Sequence, residues 1–223
     1  MKYLFVVAHP DDEVLGAGGT IRRLADEGHE VALAVMVKSA AARAGLSAAL
    51  AEEEQQAAAL LGIRKVYGAD FPNIRMNTVA HLELVQFVEK CIIDFGAEAI
   101  VTHHPADTND DHVQTSHAVQ VAVRLFQRRT DVPALREVMY MEVPSSTEWA
   151  LDSSANRFTP NTFMEIGREG VEKKLEALAC YTGVMRPYPH PRSREALEGL
   201  AAFRGAQSGC MYAEAFECVF RRM

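Results

Sequence analysis

The sequence predicts an α/β fold, a mainly parallel sheet of five or more strands with helices on both faces, and three observations lead to it. Apolar runs and helix-period segments alternate along the chain, the pattern of strands joined by crossover helices. The early runs are continuous rather than alternating, as in strands buried on both sides. Two of them end in dense clusters of His, Asp and Asn. The usual Rossmann-like order for such a chain is 3-2-1-4-5, which makes strands one and four neighbours. Ligands then bind in the crevice outside their C-terminal ends.

Tyr3–Ala8 is the first strand and stops at His9-Pro10-Asp11-Asp12-Glu13. Val14, Leu15, Gly18, Ile21, Leu24 and Ala25 then share a helical face, and Gly28 ends the helix. Gly18 on the inner side is expected to bring this helix close to the sheet. Val31–Val37 is the second strand, and Lys38–Gly45 is a small-residue loop whose long side chains are Lys38 and Arg43. A helix from Ser47 to Leu61 is followed by a short strand near Lys65–Gly68 and a turn-rich loop, Asp70–Asn77. The next helix runs from Thr78 to Phe95, with Leu82, Val85, Val88, Ile92 and Ile93 facing inward and Gly96 as its stop.

Ala99–Thr102 is the fourth strand and leads into the second polar cluster, His103 to His112. A helix continues through Arg128, and Glu137–Val143 is the fifth strand. Pro144–Asn161 is a long polar loop carrying Trp149, the single tryptophan. Phe163–Ile166 reads as a short strand, Arg168–Tyr181 and Ser193–Phe203 as helices, and Tyr212–Phe220 as a closing strand. The chain is expected to form one domain, with 1–143 as the sheet core holding the site and 144–223 shaping it for a substrate.

Composition narrows the function. A formal net charge of −7 and no evident basic face disfavour nucleic acid as a partner. No apolar run reaches the roughly 20 residues of a membrane span. The four cysteines form no Cys-x-x-Cys pair, so neither a disulfide framework nor a structural zinc knot is expected, and a reducing cytoplasm is the expected compartment. The partner expected is a small molecule, and self-association is left open.

A metal is what the two polar clusters suit. Capping a helix needs one Asp or Ser, whereas His9, Asp11, Asp12 and Glu13 crowd a single turn. An imidazole and a carboxylate three residues on can reach one point, as ligands of a first-row metal, zinc being the commonest. A third ligand is needed from a neighbouring strand end, and His112 at a helix start is the best placed. With Zn–N bonds of roughly 2.0–2.1 Å, the rings of His9 and His112 must then lie within about 6 Å of one another. Of His103 and His104, which alternate faces, His104 is expected to point into the site; His190 stands in a proline-stiffened loop, Pro187 to Ser193. Arg43 and Arg192 are candidates for a carboxylate or phosphate on the substrate.

Two rival readings use the same residues. Gly16-x-Gly18-Gly19 after a strand is a partial dinucleotide fingerprint, weakened by the acidic turn before it and by Lys38, rather than an acid, after the second strand. Two histidines and a carboxylate also suit a non-haem iron protein, so Fe²⁺ or another divalent ion is an alternative occupant.

Ala8-His9-Pro10-Asp11-Asp12-Glu13, joined to the later Asp-x-x-x-Asp-His at Asp107–His112, resembles the LmbE-like, or PIG-L, family of zinc-dependent de-N-acetylases. Asn161–Ile166, His190-Pro191-Arg192-Ser193 and Tyr212-Ala213-Glu214-Ala215-Phe216 look like its branch in bacterial sugar and glycan pathways. The resemblance implies that His9, Asp12 and His112 bind zinc and that Asp11 is the general base. It implies a substrate of the N-acetylglucosamine kind, free or attached to a nucleotide, lipid or other aglycone. Asn109 stands where the family often has a histidine, so it can donate a hydrogen bond to an oxyanion but supply no proton. Protonation of the leaving amine then falls to Asp11, His104 or His190.

Overall fold

The computed structural model describes residues 1–38, 47–151 and 157–223. The apolar run at the N-terminus forms β1 (Lys2–Val7), which is flanked on both sides by parallel partners. On one side is β2 (Glu30–Val35), with Phe5 opposite Leu33, and on the other β4 (Ala99–His103), with Phe5 opposite Val101. β3 (Lys65–Gly68) and β5 (Glu137–Met141) extend the two edges in parallel, giving the expected order 3-2-1-4-5. Beyond β5 the sheet goes on with two antiparallel strands, β7 (Ala213–Arg221) and then β6 (Thr162–Glu165), for seven strands in the order β3-β2-β1-β4-β5-β7-β6. The segment after residue 143 therefore builds the sheet as well as bordering the site.

Six helices cover this sheet among the described residues: α1 (Asp12–Asp26), α2 (Ser47–Leu61), α3 (His81–Phe95), α4 (Asp110–Ala122), α5 (Gly167–Ala179) and α6 (Arg194–Ser208). Successive residues of a strand face opposite sides, so β1 feeds two cores. Tyr3, Phe5 and Val7 pack with α1, α2, α5 and α6, while Leu4 and Val6 pack with α3 and α4. Both faces are buried, which is why the strand sequences carry no alternation. No helix among the described residues is long and apolar enough to cross a membrane.

Three local expectations change. α3 starts at His81, after a 3₁₀ turn at Met76–Thr78. Its buried stripe is Leu84, Val85, Val88, Cys91, Ile92 and Phe95, and Leu82 (64% exposed) and Ile93 fall beside it. α4 stops at Ala122 and tightens into a 3₁₀ turn, Val123–Gln127. In α1, Gly18 faces α5, since a Cβ there would lie 3.1 Å from Lys174 Cγ; the glycine that meets the sheet is Gly16, whose Cβ would lie 2.6 Å from Met141 Sδ.

α1 is also kinked at Ala17 (φ −149°, ψ 17°). The break opens a second helix start in mid-helix, and its free N–H groups need an acceptor. Glu214 of β7 supplies it, accepting from Gly19 N at 3.1 Å and Thr20 N at 2.7 Å, while Lys174 Nζ, 2.7 Å away, balances its charge. Both side chains are buried. Removing one member of such a pair strands the other charge. Glu214→Ala is expected to lower unfolding stability by about 3 kcal/mol or more, and Glu214→Gln by less, read from urea denaturation midpoints.

Candidate active site

Parallel pairing brings the ends of β1 and β4 side by side, and both polar clusters sit there. His9 follows β1, Asp12 opens α1, and His112 lies in the first turn of α4. One ligand atom from each lies within 4.8 Å of the others. Asp12 Oδ2 is 3.3 Å from His112 Nε2 and 3.4 Å from His9 Nδ1. The ring centroids of His9 and His112 are 5.5 Å apart, inside the limit of about 6 Å derived from Zn–N bond lengths.

The far nitrogen of each ring is held by a further carboxylate. His9 Nε2 lies 3.0 Å from Asp111 Oδ2, which also accepts from Ile74 N (2.6 Å), while Asp111 Oδ1 accepts from Met76 N (3.1 Å). His112 Nδ1 lies 3.2 Å from Asp107 Oδ2. Asp107 in turn accepts from Asn109 N at 2.8 Å, from Thr147 Oγ1 at 2.8 Å and from Ser146 Oγ. Carboxylates behind metal-binding imidazoles fix the tautomer and ring orientation and raise ligand basicity. The donor set therefore fits a divalent cation. Sequence reasoning gave Asp107 and Asp111 no role of their own; their position just ahead of His112 was the available signal.

Protons balance these charges in the metal-free protein. Burial acts to lower both ring pKa values, but the carboxylates outweigh it: Asp111 and Asp12 bring His9 up to about 9, and Asp12 and Asp107 bring His112 up to about 10. Asp12, which burial would raise, is held well below the usual range by His112 and His9. Burial, reinforced by His112, takes His103 down to about 3, so that ring is neutral.

The adjacent histidines reverse the expectation. His104 Nε2 lies 3.3 Å from Glu217 of β7, and its ring packs edge-on against Tyr140 and Phe158, away from the cavity. His103 is the one at the site: its Nε2 accepts from Ala8 N at 2.8 Å, and its ring stacks on His112 with centroids 3.9 Å apart. The reason is strand alternation. His103 shares a face with Val101, in the core covered by α1, and α1 begins with Asp12.

Asp11 is buried and adopts φ 102°, ψ −26°, left-handed backbone that a non-glycine residue takes up under strain. Its N–H donates to Glu13 Oε2 at 3.1 Å, and Glu13 Oε1 accepts from Tyr181 OH at 2.8 Å. Asp11 lines a cavity of about 540 Å³ together with His9, Asp12, Asn109, His112 and Arg192. Arg192 Nη1 lies 3.6 Å from Asp11 Oδ2, and its Nε donates to Ser145 Oγ at 2.7 Å. Asn109 caps α4, its Oδ1 accepting from Asp111 N at 2.9 Å. His190 is exposed and lines a neighbouring cavity rather than this one, so it is not brought to His9, Asp12 and His112. Arg43 lies outside the described residues. The glycines of the rival fingerprint are filled by protein: Met141, Lys174 and Ile166 occupy the space at Gly16, Gly18 and Gly19, which leaves no cradle for a pyrophosphate.

The PIG-L family profile, described as GlcNAc-PI de-N-acetylase, matches residues 4–123, more than half of the chain and a span that takes in His9, Asp12 and His112. The chain belongs to the PIG-L family. Among PIG-L-like relatives, the protein called uncharacterized deacetylase YaiS from Escherichia coli K12 is 29% identical over 183 residues, covering 78% of this chain and 87% of YaiS. The N,N'-diacetylchitobiose deacetylase of Pyrococcus horikoshii, solved with its inhibitor MPG, superposes with a TM-score of 0.77 at 23% identity, over 98% of this chain and 83% of that one. GalB, the 4-carboxy-2-hydroxymuconate hydratase of Pseudomonas putida KT2440, superposes with a TM-score of 0.79 at 24% identity, over 100% of this chain and 98% of GalB. These structures share the fold, and since one is a hydratase the fold alone does not choose a reaction.

A raised histidine pKa contributes stability in full below the unfolded value of 6.5, and that contribution is lost as pH rises through about 9 to 10. Cation binding near pH 7.5 must displace those protons, so calorimetry in buffers of different ionisation enthalpy is expected to find roughly two protons released per zinc bound. Asp107→Asn is expected to weaken zinc binding about 10- to 100-fold, and His112→Ala to leave the dialysed protein without stoichiometric metal by elemental analysis.

Proposed function

We propose that this protein is a metal-dependent N-deacetylase that releases acetate from an N-acetylated amino sugar or glycoconjugate, with Asp11 as general base. The observation that carries the reading is the place of Asp11. It lines the cavity next to the three-ligand set without belonging to it, in a chain of the PIG-L family. The sugar class rests on the GlcNAc named in the family description and on a cavity of about 540 Å³, within the size range of small-molecule sites.

His9, Asp12 and His112 are the residues to hold zinc, or iron(II) in its place, and the bound ion would supply Lewis acidity to the amide carbonyl and to the attacking water. Asp11 takes the proton of that water at its carboxylate and returns it to the leaving nitrogen. Arg192 keeps the Asp11 carboxylate in place from 3.6 Å. Because Asn109 Oδ1 is committed to the helix cap, its amide Nδ2 is the atom left to donate to the developing oxyanion. His104 is tied to Glu217 and His190 stands in the next cavity, so neither protonates the leaving nitrogen, and Asp11 serves in both directions.

Asp11→Asn is expected to bind zinc stoichiometrically while kcat for acetate release falls about 10²- to 10⁴-fold. N-acetylglucosamine derivatives with enzymatic acetate detection are the assay, and undiminished turnover would remove Asp11 from the mechanism.

A further inference from the structure

A second cavity, of about 370 Å³, adjoins the first, and Ser145 and Arg192 line both. Trp149, Arg186 and His190 form much of the rest of its wall. The loop that carries the basic residues is fixed by its own geometry. Pro187, Pro189 and Pro191 alternate along it, and Arg186 N donates to Arg192 O at 3.3 Å, closing the loop so that the two arginines stand together at its neck. Turn bonds from His190 N to Pro187 O (3.1 Å) and from Ser193 N to His190 O (2.9 Å) set the bend. His190 Nδ1 accepts from Arg192 N at 3.0 Å, so in the neutral ring Nε2 carries the proton and is the donor.

Among the described residues the charges here are unbalanced. Arg192 is already engaged by Asp11 and Ser145. Arg186 is exposed, and among the described residues no carboxylate lies within ion-pair distance of it. In a chain of formal net charge −7, this leaves a guanidinium and an imidazole N–H facing a groove that opens from the metal cavity. The same cavity is lined by Trp149, the single tryptophan of the sequence, 55% exposed. Guanidinium pairs best with carboxylate or phosphate, and an exposed indole offers a flat face to a sugar or other ring.

We propose that this groove binds the aglycone of the substrate, and that the aglycone carries an anionic group, carboxylate or phosphate, that pairs with Arg186 and His190 while a ring or apolar portion rests on Trp149. The inference builds on the deacetylase reading and sharpens it: the preferred substrate is a charged glycoside of an N-acetylated amino sugar. A neutral oligosaccharide would leave Arg186 without a partner.

Three probes test it: the methyl β-glycoside of N-acetylglucosamine, its carboxymethyl β-glycoside, and N-acetylglucosamine 1-phosphate. Trp149 fluorescence, the sole indole signal, reports groove occupancy whether or not acetate is released. At least one anionic probe is expected to bind about tenfold more tightly than the methyl glycoside, with the preference fading as salt is raised. The probe favoured identifies the anion. Arg186→Ala is expected to collapse that ratio, in both fluorescence titration and kcat/KM, and Arg186→Glu to invert it. Equal affinity for all three probes, or a preference that survives in both variants, overturns the subsite. Acetate release from all three without dependence on Arg186 overturns it while the deacetylase reading stands. Arg186-dependent binding of an anionic probe with no acetate from any of them upholds the subsite and overturns the deacetylase reading.

Discussion

Asp12 Oδ2 is the atom on which the site converges. It accepts from His9 N at 2.9 Å and lies 3.4 Å from His9 Nδ1, 3.3 Å from His112 Nε2 and 3.5 Å from His103 Nε2. One buried anion at the start of α1 thus gathers groups from the end of β1 and the start of α4. The sheet makes this feasible, because β1 and β4 are hydrogen-bonded neighbours whose ends are fixed in register, Val6 opposite Thr102. The kinked α1 and its Glu214 cap serve the same end by seating the helix that carries Asp12 between the sheet and α5.

Around this anion the protein alternates charge in shells. Asp111 and Asp107 stand behind His9 and His112, and backbone N–H groups and hydroxyls stand behind the carboxylates. Every layer restricts the rotation of the one inside it. Left-handed backbone at Asp11 and at Ile74 lies along the rim of the same cavity, which is where strain is tolerated when surrounding bonds over-determine the conformation.

The parallel core and the three convergent residues were legible in the sequence because both rest on local signals: continuous apolar runs for buried strands, and polar clusters at strand ends. The two antiparallel strands beyond β5 were read as strands but could not be placed in the sheet, since their pairing is a long-range choice. The His103/His104 pair shows a sharper limit. Alternation says that two neighbours face opposite ways, yet which way depends on the helix that covers each face, and that is settled by topology. Leu82 and Ile93 were misplaced for a similar reason, as a hydrophobic residue beside the buried stripe of a helix looks the same in sequence as one within it. The carboxylates behind the imidazoles were hidden by redundancy, since Asp107, Asp110 and Asp111 are close together and only Asp107 and Asp111 touch a ring.

Asp107 touches both halves of the site at once: one oxygen faces His112 Nδ1 and accepts from Thr147, and the other accepts from Ser146, on the loop that leaves β5. That loop also borders the cavities on either side of Arg192. Retailoring it by grafting from a relative would therefore disturb the setting of the His112 ring along with the shape of both cavities, and a chimera that retained Ser146 and Thr147 would separate the two effects.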